Sequence, residues 1–476
     1  MIHETERMSA VDAAWLRMDR PTNLMMIVGV VVFDSRVDFR RFRSTIRERF
    51  LAFARFRCRA RQDALSTEWE PDPGFDLDRH VLRTKLPAPA GQAELETLVS
   101  SLASTDLDRD RPMWQFHFID RYQGGSAAIL RIHHCYADGM AMIRVFLSLT
   151  DEKPAPAAMH AVPPASPSGA REGDGGDWFS RLGIPGSELL RQAYAEGAAF
   201  FGRAADLAKN PEQASELARH ALGIAGELAR VALLPDDPPT QFKGPLGARK
   251  IAAWTEPLPL TEVKAVARAL GCTVNDLLLS TAAGALGAYL RRHGEDTDGL
   301  SIRAAVPVNL RDPAGAATLG NYFGLVFLEL PIGIRDPLER LAAVHAAMTR
   351  LKGSYQPLLT LGLMAALGRM PASVESAAID LLSTKASAVA TNVPGPREPL
   401  YLAGGRIGRL IFWVPQSGDI GLGISILSYA GQVQFGLIAD ALRVPDPDAV
   451  AALFCAEFED MVLSVLMGPY LQGSAG

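Results

Sequence analysis

Ser126-Ala127-Ala128-Ile129-Leu130-Arg131-Ile132-His133-His134-Cys135-Tyr136-Ala137-Asp138-Gly139 is the stretch on which the reading of this chain turns. Its first nine residues alternate. Ala128, Leu130, Ile132 and His134 share one face, while Ile129, Arg131 and His133 share the other. The pattern predicts a strand with an apolar row that ends in a histidine. Asp138-Gly139 then turns the chain into a helix predicted over 140–149, with Asp as a preferred N-cap. A histidine at a strand end, where the chain leaves the sheet, can face a cleft while packing fixes its ring. An imidazole with an unperturbed pKa of about 6.5 suits proton abstraction near neutral pH. His134 is therefore the candidate general base.

Outward from this point, strand and helix patterns alternate. Residues 114–120 read as the neighbouring strand, with Gly124-Gly125 near the turn. Residues 24–33 are a Val- and Ile-rich run of strand length. Phe39, Phe42, Ile46 and Phe50 fall at helical spacing with arginines opposite, and 95–102 is helical again. Composition shifts after Thr150. Residues 151–176, rich in Pro, Ala, Ser and Gly, suit a flexible linker. From Trp178 to about Leu234 the pattern is helical, with Leu217, Ile224, Leu228 and Val231 on one face, until Pro235-Asp236-Asp237-Pro238-Pro239 stops it. A second mixed stretch follows. Helices are predicted over 260–270, 274–292, 337–351 and 446–466, and strands over 301–309, 322–330, 386–392, 406–414, 422–429 and 432–438. The fold class is α+β, with a first domain at 1–150, a linker and helical connector at 151–245, and a second domain at 246–476.

Bulk properties narrow the function classes. A chain of 476 residues with 48% hydrophobic content can bury two sizeable cores. With 48 Lys and Arg against 53 Asp and Glu, and no basic stripe, it does not read as a nucleic-acid binder. Cys58, Cys135, Cys272 and Cys455 are scattered, without CxxC pairs or Cys/His ligand spacing, so reduced thiols are expected rather than disulfides or a metal site. The first residues lack a signal-peptide pattern, and the apolar run 24–33 is about half a bilayer crossing. A cytoplasmic protein is expected, with contact at a membrane or lipid-droplet surface left open.

His133-His134-x-x-x-Asp138-Gly139 resembles the signature of acyltransferases that share the chloramphenicol acetyltransferase fold, peptide-synthetase condensation domains included. The wider pattern is similar to the bacterial wax ester synthase/diacylglycerol acyltransferase family. Pro112-Met113-Trp114 resembles that family's Pro-Leu-Trp, with Met as a departure. Asn275-Asp276, Val306-Pro307-Val308-Asn309, Gly320-Asn321, Thr391-Asn392-Val393-Pro394-Gly395-Pro396 and Gly423-Ile424-Ser425…Ser428-Tyr429 follow in the family's order. The resemblance implies two chloramphenicol acetyltransferase-like domains joined by a helical connector, with the site in a channel between them. It implies that His134 takes the proton of an acceptor hydroxyl, which attacks an acyl-CoA thioester directly; no GxSxG nucleophile elbow is present. His133 would be auxiliary, Asp138 a structural anchor, and Gly139 a residue that lets the chain pass close by. Acyl-CoA would be a co-substrate, the acceptor a diacylglycerol or fatty alcohol, and no metal or redox cofactor is implied. Asn275, then Ser425 and Thr391-Asn392, are candidates for oxyanion or substrate contact.

Plainer readings stand beside these. Asp138 suits an N-cap, and Asn275 and Asp276 suit the first turn of a helix. The Pro and Gly of 391–396 suit a turn. Pro112-Met113-Trp114 suits packing, and the arginines of 40–61 suit a solvated face. The apolar run 358–370 suits a core helix, an acyl tunnel wall or a face at a lipid interface. Two other functions fit the same fold: acyl transfer from a carrier-protein thioester, and lipid binding without catalysis.

Overall fold

The computed structural model describes residues 5–63, 66–154, 234–310, 319–352 and 354–473. The strand predicted from the opening stretch runs Gly125–His133. It pairs antiparallel with Trp114–Tyr122 on one side and Met26–Phe33 on the other. All of its residues except Leu130 are buried, so both faces are covered. Ala128 and Ile132 pack with Phe42, Phe116 and Phe118, while Ala127 and Ile129 pack with Leu95 and Val99 from the helix Gln92–Ala103. Arg131 projects into the covered face yet is satisfied. Its guanidinium donates to the carbonyls of Leu102 and Thr105 at 3.1 and 2.6 Å and to Gln115 Oε1.

The seven-stranded first sheet is not confined to the first 150 residues. Beyond Met26–Phe33 it continues with Gly405–Trp413, Tyr401–Leu402 and Thr150–Asp151. Sheet membership thus crosses the division expected at residue 245. The reason is physical: Met26–Phe33 is apolar and nearly all buried, so its second edge needs a partner, and Gly405–Trp413 supplies one with Ile407, Ile411 and Trp413 buried. The second sheet is ordered Leu258–Pro259, Gln432–Asp440, Leu422–Tyr429, Ala388–Pro394, Ile302–Asn309 and Phe323–Leu330, with Lys250–Trp254 also on Gln432–Asp440. Behind it lies Val274–Arg292, buried along most of its length.

The predicted elements of both halves are found, with ends shifted by a few residues. The connector expected over 178–234 and most of the linker over 151–176 fall in residues 155–233, outside those described. Two helices were not anticipated: Ala10–Arg17 and Ala372–Ser383. Ala10–Arg17 seats against Gln356–Leu367, and a Cβ at Gly368 would meet the Ala10 carbonyl oxygen at 1.8 Å, so only glycine permits this approach. Arg17 and Arg20 fasten this end of the chain to Ala372–Ser383 by ion pairs to Glu375 and Asp380, each at 2.6 Å.

Candidate active site

The chain leaves the first sheet at His133, but its alternation carries one residue further. His134 N donates to Met25 O at 2.7 Å, so the ring keeps the direction that the strand pattern gave it. This amide pairing holds one side of the residue. On the other side, Asn321 Nδ2 donates to the His134 carbonyl at 3.0 Å. The imidazole stacks on Trp15, with ring centroids 4.3 Å apart and planes 26° apart, and Phe323 tilts against it at 5.6 Å. It lines a cavity of about 140 Å³ between the two sheets. Among the described residues Nδ1 is buried without a hydrogen-bond partner, and the imidazole is part of the cavity lining. Burial, the largest influence, and the neighbouring His133 push its pKa down to about 4, against the opposing pull of Asp138 and of the Asn321 side chain, which favour the charged ring. His134 is therefore neutral at physiological pH and free to accept a proton.

His133 faces elsewhere. Its Nδ1 accepts the Cys135 N–H at 3.2 Å and its Nε2 lies 3.6 Å from Asp19 Oδ2. Burial raises the Asp19 carboxyl, but His133, the Met25 N–H and Arg109 together hold it below its ordinary value. Adjacent histidines thus divide into one at the cavity and one that braces the loop beneath it.

Asp138 caps the helix Gly139–Leu149, with Oδ1 accepting Ala141 N–H at 2.8 Å. Its Oδ2 accepts Tyr322 N–H at 2.9 Å, and its own N–H donates to Gly320 O at 3.2 Å. Residues 320–322 of the second half therefore clip the loop 134–138. Gly320 has φ +124°, a backbone conformation that favours glycine. Gly139 departs from the role expected for it. Among the described residues, its chain neighbours and own helix backbone aside, no atom lies within 4 Å of where its Cβ would stand, and Gly139 lines the cavity.

The oxyanion candidates separate as well. Thr391 and Asn392 line the cavity, on the second sheet. Asn275 stands one step behind, its Oδ1 accepting Asn392 Nδ2 at 2.6 Å. Ser425 is buried beside Thr391 on the next strand and does not line the cavity. Asp276 closes a capping box with Thr273 and accepts from His345 at 2.9 Å, a structural arrangement. Met113 O accepts the His133 N–H at 3.0 Å and Trp114 is fully buried, so Pro112-Met113-Trp114 packs the base of the loop.

Sequence patterning missed Asp12, Trp15 and Phe323, all buried or half-buried around His134. One signal was present: Ser9-x-x-Asp12 before an apolar run has the form of a helix start, and Ser9 Oγ does accept Asp12 N–H at 3.1 Å. The remaining cavity wall is mostly apolar, with Val11, Met18, Ile143, Met364, Ile379 and Val389, and carries Asn309, Thr360, Ser383 and Ser417 as polar members. Cys135 is buried with its thiol pushed up by burial, which disfavours a thiolate. Among the described residues, no group of three or more His, Cys, Asp or Glu side chains is placed to hold a metal ion.

A family model described as the wax ester synthase/diacylglycerol acyltransferase catalytic domain matches residues 8–278, and a WS/DGAT C-terminal domain model matches 319–462. The chain belongs to the wax ester synthase/diacylglycerol acyltransferase family. It is an acyltransferase. A Mycobacterium tuberculosis relative with the name "Probable diacyglycerol O-acyltransferase tgs1" is 30% identical over 459 residues, covering 93% of each chain. The solved wax ester synthase/diacylglycerol acyltransferase of Marinobacter aquaeolei VT8 superposes with a TM-score of 0.69 at 22% identity, covering 97% of this chain and 99% of that one. The first condensation domain of the calcium-dependent antibiotic synthetase superposes at 0.61 with 16% identity, covering 98% and 97%. At such identities the likeness is one of fold, and it is the paired chloramphenicol acetyltransferase-like architecture that the opening motif implied. The family's two domain models meet in the interval 279–318, whereas the cavity draws its walls from both sides of it.

Proposed function

We propose that this enzyme moves a long-chain acyl group from acyl-CoA to the hydroxyl of a diacylglycerol or fatty alcohol, with His134 as general base. The products are triacylglycerol or wax ester and CoA. The observation that carries this reading is a neutral, stacked histidine that lines a largely apolar cavity.

In the first step the acceptor O–H proton passes to His134 Nε2 as the oxygen attacks the thioester carbonyl. The resulting tetrahedral oxyanion collapses, the C–S bond breaks, and the imidazolium returns the proton to the departing CoA sulfur. No acyl-enzyme forms. In this reading Asn392 donates to the oxyanion: it lines the cavity, and one of its amide hydrogens is spent on Asn275, which fixes the amide. A preorganised donor of this kind contributes about 2.7–4 kcal/mol. Asn275 then acts as the support of the donor rather than as the donor. An alkyl chain suits the wall of Val, Ile, Met and Phe, at roughly 0.8 kcal/mol per buried CH₂.

Contact with a lipid surface belongs to the same reading. Met370, Val374 and Leu381 are exposed on and beside the helix Ala372–Ser383, whose Ile379 and Leu382 line the cavity. Among the described residues no single helix is long and apolar enough to cross a membrane.

The test is CoA release from palmitoyl-CoA with hexadecanol or a diacylglycerol, wild type against His134→Ala. A loss of at least about a hundredfold is expected, the lower range of general-base contributions. Near-normal turnover in H134A overturns the mechanism. Activity only with a carrier-protein thioester overturns the donor assignment, and no CoA release with either acceptor favours a lipid-binding role.

A further inference from the structure

We propose that Asp12 is a positioning residue for His134, acting through Asn321. The inference rests on His134 being the base.

Asp12 sits in the first turn of Ala10–Arg17 and is 2% exposed. Its neighbours Val11, Ala13 and Ala14 are buried apolar residues, so an acid here interrupts a core helix. In a capping box the carboxylate would turn back to the Ser9 amide. It turns instead to the second half of the chain, where Oδ1 accepts both the Asn321 N–H at 3.0 Å and Asn321 Nδ2 at 2.8 Å. Among the described residues Asp12 has no ion-pair partner within 4 Å. Arg55 attracts the carboxylate from farther off, but burial outweighs that attraction, and a buried charge so weakly compensated is costly.

What the carboxylate does is fix the Asn321 amide. With Nδ2 drawn to Asp12, its second hydrogen reaches the His134 carbonyl at 3.0 Å. Among the described residues neither Asn321 Oδ1 nor His134 Nδ1, both buried, has a hydrogen-bond partner within hydrogen-bond geometry. An amide held this way round leaves its oxygen as the acceptor, and the Asn321 side chain does favour the charged imidazole. The same helix supplies a second restraint. Trp15 follows Asp12 by one helical turn, hence on the same face, and stacks on the imidazole at 4.3 Å. Burial pushes the Asp12 carboxyl up to about 6, which leaves it mostly ionised, and so a strong acceptor, at neutral pH. One turn of helix thus holds the base by its ring and by its backbone.

The experiment measures kcat and KM for palmitoyl-CoA in Asp12→Ala, Asp12→Asn, Asn321→Ala, the D12A/N321A double variant, and D12A in the H134A background, each checked for native fold by circular dichroism. A misplaced catalytic group loses about tenfold or more in rate, so D12A and N321A are each expected to lower kcat by that much with KM within about twofold. D12N keeps an acceptor oxygen and should stay within about threefold of wild type. Because both residues act on one target, the double variant should be no slower than the slower single, and D12A should leave the residual H134A rate unchanged. A residue that only stabilised the fold would not produce that non-additivity. Multiplying effects, or unchanged kcat in folded D12A, overturn the proposal. Should D12A fail to fold, N321A carries the test, since it breaks the link and leaves Asp12 in place; an unchanged kcat in N321A is then fatal. A fully active H134A overturns the base assignment itself, whereas an inactive H134A with active D12A overturns the positioning role alone.

Discussion

Lowering the pH tests His134 without altering a residue. In the folded protein burial moves its pKa from 6.5 to about 4. At about 1.36 kcal/mol per pH unit this is a penalty of roughly 3 kcal/mol on the imidazolium. The consequence is an unusually low acid limb. At pH 5.5 an ordinary imidazole with a pKa of about 6.5 is only about one-tenth neutral, whereas one near 4 is almost wholly neutral. Since kcat/KM reports the pKa values of the free enzyme, kcat/KM for acyl-CoA should hold within about twofold from pH 7.5 to 5.5 and fall only below about 5. CoA is best quantified by chromatography after quenching, so that no thiol reagent imposes its own pH dependence, with tryptophan fluorescence confirming the fold at each pH. Trp15→Ala supplies the converse. It opens one face of the ring to water, relieves the burial, and should move the limb upward towards the ordinary value. A wild-type limb with its midpoint between about pH 6 and 7 would refute the reasoning, because it would mean a solvated imidazole in the free enzyme.

Gly139→Ala should leave folding intact or slightly firmer, since the new methyl meets no atom of the described residues beyond its own helix and alanine favours the helix; because Gly139 lines the cavity with His134, kcat/KM should fall while the melting temperature does not. Asp138→Ala removes the cap of Gly139–Leu149 and the acceptor of Tyr322 N–H, a combined loss of about 3 kcal/mol from typical cap and charged hydrogen-bond contributions. Asp138→Asn, which retains one acceptor oxygen, should lose about half of that in urea denaturation; a loss below about 1 kcal/mol in the alanine variant would contradict the clip between the halves. His117 is also held to about 4 by burial and by nearby Arg131, so its folded form releases a proton that the unfolded chain keeps between about pH 6.5 and 4, and stability is lost as the pH falls through that window. His117→Gln should therefore shrink the drop in unfolding free energy between about pH 7 and pH 5 by roughly 1–2 kcal/mol, while Asp12 at about 6 and Glu96 at about 7 act in the opposite sense.

The legible part of this molecule is the part that local periodicity controls. The strand Gly125–His133, the turn at Asp138 and the helix after it follow from a period of two, a cap and a glycine, all within one short stretch of chain. His134 could be separated from His133 because alternation persists one residue past the strand, and the Met25 bond is its physical cause. What stayed hidden is set by contacts distant in sequence. Trp15 and Phe323 reach His134 from opposite ends of the chain, one far before it and one far after. Asn275 has the composition of a site residue, but the helix that carries it lies behind the sheet, so only its partner Asn392 reaches the cavity. Nothing in the pattern of 405–413 says that this strand belongs beside Met26–Phe33.

That crossing strand explains why the catalytic histidine is held by so much of the chain. The Gly125–His133 strand is fixed in register by Met26–Phe33, which is in turn covered at its far edge by Gly405–Trp413. Phe412 of the crossing strand also reaches the cavity wall. The loop after His133 is then clipped by residues 320–322, and the ring is stacked by a helix that seats on Gly368. The restraints on His134 beyond its own strand partners thus come from the N-terminal helix and from the second half. An apolar edge such as Met26–Phe33 would be a site of aggregation if left unpaired, so folding of the first sheet and assembly of the second half are coupled. The base is brought to its working geometry by the same contacts that close the cavity around it, and its low pKa follows from that closure.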